Sequence, residues 1–327
     1  MGLHGHEWTC ASRPHAPTWS IASSPTRGGI VKTGRRVDLR TLADGFTLLE
    51  GPRWHEGRLY VSDMMTHQVL VLDPDGGFRQ VCEVAGQPSG LGFLPDGTML
   101  ISSMLDKRLY AYSHGRLSQY ADLSHVARGP INDMVVDAHG RAYVGHAGAS
   151  GFAEKLPAEV FLVDSDGKIS VAADGLACPN GMVLSHDGRT LTVAESFAYR
   201  LSAFDVDTAG QLSNRRILAQ FGPEPEEGAR LHHMLDSGFA FPDGIDIDPE
   251  SNVWVANPNG PGPGVLCLDP DGRLADSIDT GHEGVYAVAV GGDDMKTLFL
   301  CAGAHLGHRR AGSAQARLLS CRPFTLD

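Results

Sequence analysis

Five oxygen-bearing side chains, Glu50, Asn132, Asp133, Asn180 and Asp243, stand at corresponding points of the sequence, each close to a Gly or Pro and each just ahead of an apolar alternating segment. Brought together, their carboxylates would repel one another and lose hydration, and a cation is the simplest way to satisfy them. Carboxylates and carboxamides without a thiolate make a hard oxygen site. Calcium is the first choice, magnesium and manganese share the preference, and zinc enters where the affinity order overrides it. Taken singly, an Asp or Asn at such a place caps a turn. Glu50 fits that reading less well, because Glu is a poor turn residue and the strand behind it is apolar.

What could bring them together is an internal repeat. Six segments share one grammar: a short opening motif, an apolar alternating strand, a turn centred on Asp-Gly or its equivalent, and a second apolar strand. With Gly51, Gly90, Asp133, Gly181, Gly244 and Val288 as anchors, successive separations are 39, 43, 48, 63 and 44 residues. Such periods suit four-stranded blades. "RLYVSD", "TLTVAES" and "NVWVAN" alternate with a period of two, which excludes helical solenoids. The expected fold is all-β, a six-bladed propeller of four-stranded antiparallel blades without a long helix. In a propeller each repeat begins nearest the axis, so the five side chains converge on one end of the channel.

The ring must close. "GFTLLE", residues 45–50, is placed to lend a strand to the last blade beside "ARLLSCR". The longest insertion, about residues 206–238, is expected to form a loop over one mouth. "DPDG" at 73–76 and 269–272 looks superficially like a calcium loop, but the twelfth position is Val84 in one and Thr280 in the other, where an EF-hand needs Glu. Both are read as hairpin turns.

A net charge of −12 argues against nucleic acid as a partner, since a phosphate backbone calls for clustered Lys and Arg. Cys10, Cys82, Cys178, Cys267, Cys301 and Cys321 lie far apart with no Cys-x-x-Cys pair, so they read as reduced, buried thiols. No stretch approaches the ~18 apolar residues of a membrane helix, and the N-terminus lacks the apolar run of a secretory signal. The expected location is cytoplasmic. Residues 1–38 read as a flexible extension and 39–327 as the propeller; no oligomeric state follows.

Four motifs in order, "EGPRW" at 50–54, "INDMVVDAHGRAYVG" at 131–145, "PNGMVLSHDGRTLTVAES" at 179–196 and "FPDGIDIDPESNVWVAN" at 241–257, resemble the SMP-30, regucalcin, gluconolactonase and luciferin-regenerating-enzyme family. The resemblance covers about residues 44–323. It implies a six-bladed propeller that hydrolyses lactones with a divalent metal, held by the residues matching Glu50, Asn180 and Asp243, with Asn132 contacting substrate or completing the shell. One departure bears on substrate: sugar-lactone members carry Arg where this chain has Pro130, and Pro offers no hydrogen-bond fork for hydroxyls. A less hydroxylated lactone or another cyclic ester is then an equal candidate.

The expected reaction is attack of water on a metal-polarised carbonyl, with Asp243 as ligand and general base and Asp133 as second choice for the base. His146, His233 and Tyr286 are further candidates to shape the pocket, although the neighbours His232 and His233 point in different directions and a loop role is their ordinary reading. Trp54 reads as core. Two alternatives stand beside the hydrolase: a propeller that binds metal or ligand without catalysis, and a related propeller enzyme such as a phosphotriesterase or a strictosidine-synthase-like protein. No Gly-x-Ser-x-Gly elbow, phosphate loop or His-Glu-x-x-His is present, which leaves serine-hydrolase and nucleotide chemistry without support.

Overall fold

The period-two segments pair as the repeats require. In the computed structural model, which describes residues 34–73, 76–259, 262–306 and 315–323 and a short pairing of Ser20–Ile21 with Gly29–Ile30, six four-stranded antiparallel sheets form the blades of a six-bladed β-propeller. The inner strands are Leu49–His55, Pro88–Phe93, Ile131–Val136, Pro179–Leu184, Ile245–Ile247 and Glu283–Gly291, and each packs against the next around the ring. The Asp-Gly turns are hairpins: Asp269 Oδ1 accepts from the backbone N–H of Asp271 at 3.0 Å and Arg273 at 2.8 Å, while Gly272 takes φ +77°, a value a side chain resists. Most of the expected flexible extension, residues 1–38, lies outside the described residues. From residue 34 onward the chain already packs on the propeller, for Arg35 bridges to Ile278 and pairs with Asp276 at 2.5 Å.

Closure occurs where expected but with an earlier segment. Arg40–Phe46, rather than residues 45–50, pairs antiparallel with Ala316–Cys321, and Phe46 stands opposite Ala316. The reason lies at the turn that follows: buried Asp63 accepts from the backbone N–H of Thr47 and Leu48 at 3.1–3.3 Å and from the Thr47 hydroxyl, so the chain reverses there and Leu49 already belongs to the first inner strand. Trp54 completes the seam by stacking on Phe299, ring centroids 5.5 Å apart, and is core as expected. Dispersion and lost apolar hydration hold blade to blade in this way all round, as between blades 3 and 4, where Tyr143, Leu162, Met182 and Val193 share one buried cluster.

The fourth blade's outer strand runs to Gln220, so the long insertion spans 221–244 rather than beginning at 206, and it carries the one-and-a-half-turn helix Leu231–Asp236. A buried charge network fixes it. Glu195 accepts from Arg200 Nε at 2.9 Å, Arg215 Nη2 at 2.7 Å, the Ala177 N–H at 2.9 Å and the Ser202 hydroxyl, and Arg200 reaches on to Glu224 of the insertion. Lys155 Nζ donates to the same Glu224 at 2.6 Å. Burial alone would raise Glu195, but the Arg200 hydrogen bond and charge, Ser202 and Arg215 outweigh it and hold the carboxyl below its ordinary range. Among the described residues no helix is long and apolar enough to cross a membrane.

At the axis the inner strands touch through glycine. A Cβ on Gly181 would meet the Ile245 nitrogen at 2.4 Å and the Asp243 carbonyl oxygen at 2.6 Å, and one on Gly244 would meet the Ala287 Cβ at 2.5 Å. Gly181→Ala is therefore expected to displace the Asp243 segment and cost about 1–3 kcal/mol, read as a lowered thermal midpoint; an unchanged midpoint would show that the strands can part. Glu195→Gln leaves Arg200 buried beside a neutral partner and should cost about 3–5 kcal/mol by urea denaturation. Because the folded carboxyl is depressed, its stabilisation is complete above the ordinary value and fades as pH falls below about 4.5 toward the depressed one, so the variant should lack that part of the wild-type acid sensitivity. Parallel acid profiles for the two proteins would contradict this.

Candidate active site

Five of the six inner strands break register at the opening motif. The ladder slips between Glu50 and Arg53, Pro88 and Leu91, Ile131 and Met134, Pro179 and Met182, and Val285 and Ala287. A bulge re-aims side chains, and here it turns one residue from each blade toward the same end of the channel. In blade 5 Asp243 performs the same move just ahead of the strand, its N–H bonded to the Ala256 carbonyl at 3.0 Å. Going round the ring, the residues are Glu50, Ser89, Asn132, Asn180, Asp243 and Tyr286.

Four of them form one hydrogen-bonded chain across blades 2 to 5. Ser89 Oγ donates to Asn132 Oδ1 at 3.1 Å, Asn132 Nδ2 donates to Asn180 Oδ1 at 2.9 Å, and Asn180 Nδ2 donates to Asp243 Oδ1. Ser196 Oγ, 3.2 Å from Asn180 Nδ2, donates to the Pro242 carbonyl at 2.7 Å and so ties the insertion to this chain. Ser89 was missed in the sequence although "PSG" stands where two other repeats have "PNG" and "PDG". Asp243 is buried, and that burial pushes its carboxyl well above the usual carboxylate range; the Asp133 charge pushes the same way and the Asn180 amide offsets part of it.

Below this chain lies a second layer that sequence reading overlooked. Arg53 Nη2 donates to Asp133 Oδ1 at 3.2 Å and to the Met134 carbonyl at 2.7 Å, and Asp133 also accepts from the Met134 N–H at 2.8 Å. Asp246 nearby is bound by the Val290 and Ile247 N–H groups at 2.8 and 2.9 Å. Burial raises both carboxyls, and Arg53 counters it in each. Asp133, considered as a base, is thus held by Arg53 and does not line the cavity above. The signal was present: an Arg inside the inner strand Leu49–His55 has to find a buried anion.

The cavity over the ring measures about 280 Å³, and Glu50, Asn132, Asn180, Asp243 and Tyr286 all line it. Two larger grooves, of about 800 and 890 Å³, lie elsewhere and hold none of these residues. Tyr286 contributes its ring, because its hydroxyl donates to the Ala304 carbonyl at 2.6 Å. His146 is absent from the cavity lining: it is completely buried, its Nδ1 accepts from Gly148 N–H at 3.0 Å, and its Nε2 faces Glu159 Oε2 at 2.6 Å. His233 is also absent, since the helix turns it to the surface beside His232. Both histidines obey local packing demands that a repeat pattern does not carry.

The donor chemistry fits a hard cation. Two carboxylates and an amide meet on one floor, and Asp243 stands to regain from a cation what burial takes from it. Among the described residues no group of three His, Cys, Asp or Glu side chains is gathered, so the amide oxygen of Asn180 has to be part of any such shell. The described cysteines are all free thiols, and burial pushes Cys82 and Cys321 up to about 12; Cys10 lies outside the described residues.

Comparison with known proteins agrees with this architecture. A pentonolactonase of Haloferax volcanii is 27% identical over 275 residues, covering 80% of this chain and 84% of the relative. A 6-deoxy-6-sulfogluconolactonase of Pseudomonas putida is 25% identical over 261 residues, covering 77% and 81%. Among solved structures, a calcium-binding protein, regucalcin, from Agrobacterium tumefaciens superposes with a TM-score of 0.71 at 20% identity, covering 89% of this chain and 97% of that one, a likeness of fold. The family described as SMP-30/gluconolactonase/LRE-like region matches residues 48–304, most of the propeller and every blade's inner strand. The chain belongs to the SMP-30/gluconolactonase/LRE-like family.

Proposed function

We propose that this protein opens a lactone by hydrolysis at the cavity floor, with a divalent cation, calcium before zinc, manganese or magnesium, held by Glu50, Asn180 and Asp243. The observation that carries the reading is the meeting of those three residues with Asn132 on one floor, with Asp243 buried and short of compensating charge. The relatives, a pentonolactonase and a sulfogluconolactonase, support lactone hydrolysis, and the calcium-binding regucalcin that shares the fold supports calcium. When bound, the cation would supply Lewis acidity to the carbonyl oxygen and to the oxyanion that follows. The free thiols are in keeping with a reducing, cytoplasmic setting.

The chain's own residues account for orientation and proton transfer. The Asn132 and Asn180 amides, braced by Ser89 and Ser196, fix the rim of the floor on which the ring rests. Asp243 Oδ takes the proton of the attacking water, a role suited to a carboxylate whose proton affinity burial has raised. As the tetrahedral intermediate collapses, the ring C–O bond breaks and Asp243 returns that proton to the departing alkoxide, leaving a hydroxy acid. Asp133 acts through its charge: pinned on Arg53, it raises the proton affinity of Asp243 without touching substrate.

Asp243→Asn keeps the size and removes the base, so turnover should fall by about 10²- to 10⁴-fold. Proton release from a panel of γ- and δ-lactones, measured before EDTA, after EDTA and after added calcium, tests the whole reading. Activity lost with chelation and restored by calcium is the expected result. No turnover on any cyclic ester with a cation bound would replace the hydrolase by a binding propeller.

A further inference from the structure

The walls above the floor are made differently from the floor. The loop joining the second and third strands of a blade faces the cavity, and in five blades it supplies an apolar side chain: Met64 in blade 1, Met104 in blade 2, Phe152 in blade 3, Phe197 in blade 4 and Leu306 in blade 6. Leu48, Met64, Met104 and the Tyr286 ring form one continuous buried cluster on one side, and Phe197 and Phe241 pack together on the other, ring centroids 5.7 Å apart. Among the described residues only seven large hydrophobic side chains are exposed, and three of them, Met65 at 38%, Leu105 at 58% and Phe152 at 39%, stand at this one mouth. They come from three separate blades, so chance scatter over the surface does not account for them.

The same walls are poor in hydrogen-bonding groups. Tyr286 and Ser196 spend their hydroxyls on the Ala304 and Pro242 carbonyls, Gln87 adds a single amide whose Nε2 lies 3.9 Å from Met65 Sδ, no Arg or Lys among the described residues lines the cavity, and Pro130 presents a ring without a donor. A polyhydroxylated lactone would leave water to place its outer hydroxyls against Leu, Met and Phe, where each unpaired hydroxyl loses binding. A hydrocarbon substituent gains there, by about fourfold for each methylene buried.

We propose that this site takes lactones whose ring bears an alkyl or aryl substituent, with the ester on the polar floor and the substituent in the apolar collar, in preference to polyhydroxylated sugar lactones. The inference rests on the hydrolase reading above and deepens it to a substrate class. It assigns Leu105 and Phe152 as specificity residues that act on the substituent and leave the ester to the floor.

Initial rates on the full-length protein with calcium, for δ-decanolactone, unsubstituted δ-valerolactone and glucono-δ-lactone, read the preference directly. The alkyl lactone should exceed the unsubstituted ring by at least about tenfold in kcat/KM, chiefly through KM, with the sugar lactone lowest. Leu105→Gln and Phe152→Gln, both at exposed positions where folding is safe, should each lower the ratio of alkyl to unsubstituted turnover. A sugar lactone turned over as well as the alkyl one, or variants that leave that ratio intact, would overturn the proposal. Calorimetric binding of the matching lactams, which carry N–H in place of the ring oxygen, separates the two readings: an alkyl lactam bound without any lactone turnover would sink the hydrolase and keep the collar, and a polyhydroxylated lactam bound as tightly as the alkyl one would sink the collar.

Discussion

Where Gly181 passes Ile245 at the axis, a single methyl group would come within 2.4 Å of a backbone nitrogen, and comparable contacts recur at Gly90 against Asp133 and Gly244 against Ala287. In blades 1, 2, 4 and 5 the strands approach this closely because Gly51, Gly90, Gly181 and Gly244 have no side chain in the way, each next to a residue that is turned inward. That close approach, with the register breaks of the other blades, brings Glu50, Ser89, Asn132, Asn180, Asp243 and Tyr286 to one ring and buries Asp243. The chemistry of the site is a by-product of how tightly the ring closes.

Electrostatics then divides the channel into two layers. Arg53 satisfies Asp133 below, while Asp243 above has an amide and no counter-charge of its own among its hydrogen bonds. A protein cation thus settles the lower layer, and the upper one is left suited to an external cation and to proton transfer. The two layers communicate through the Asp133 charge, which adds to the proton affinity of Asp243. The insertion at 221–244 is bound into the same frame, because Glu224 links it to Arg200 and Lys155, and Pro242 links it to Ser196.

Much of this was legible in the residues. Spacings near 40 to 60 and period-two strands specify six blades, and oxygen-bearing side chains at the repeat openings specify Glu50, Asn132, Asn180 and Asp243 as a group, all of which line the one cavity. What escaped depends on contacts between distant segments. The closing strand lies about five residues earlier than expected because Asp63 captures the Thr47 and Leu48 amides, an event no local propensity announces. His146 is spent on Glu159 and His233 on the surface, since a histidine's role follows from its neighbours and not from its place in a repeat. The apolar collar was hidden for another reason: Met104, Phe152 and Leu306 sit in loops of unequal length, so the sequence periodicity that marks the floor does not extend to the walls.

The account stands most directly on where a cation goes. Crystals soaked in manganese and measured at its absorption edge should show one anomalous peak on the cavity floor, within coordination distance of Glu50, Asn180 and Asp243 oxygens. A peak at the Arg53 layer or on an outer groove, with that floor empty at saturating metal, would contradict it.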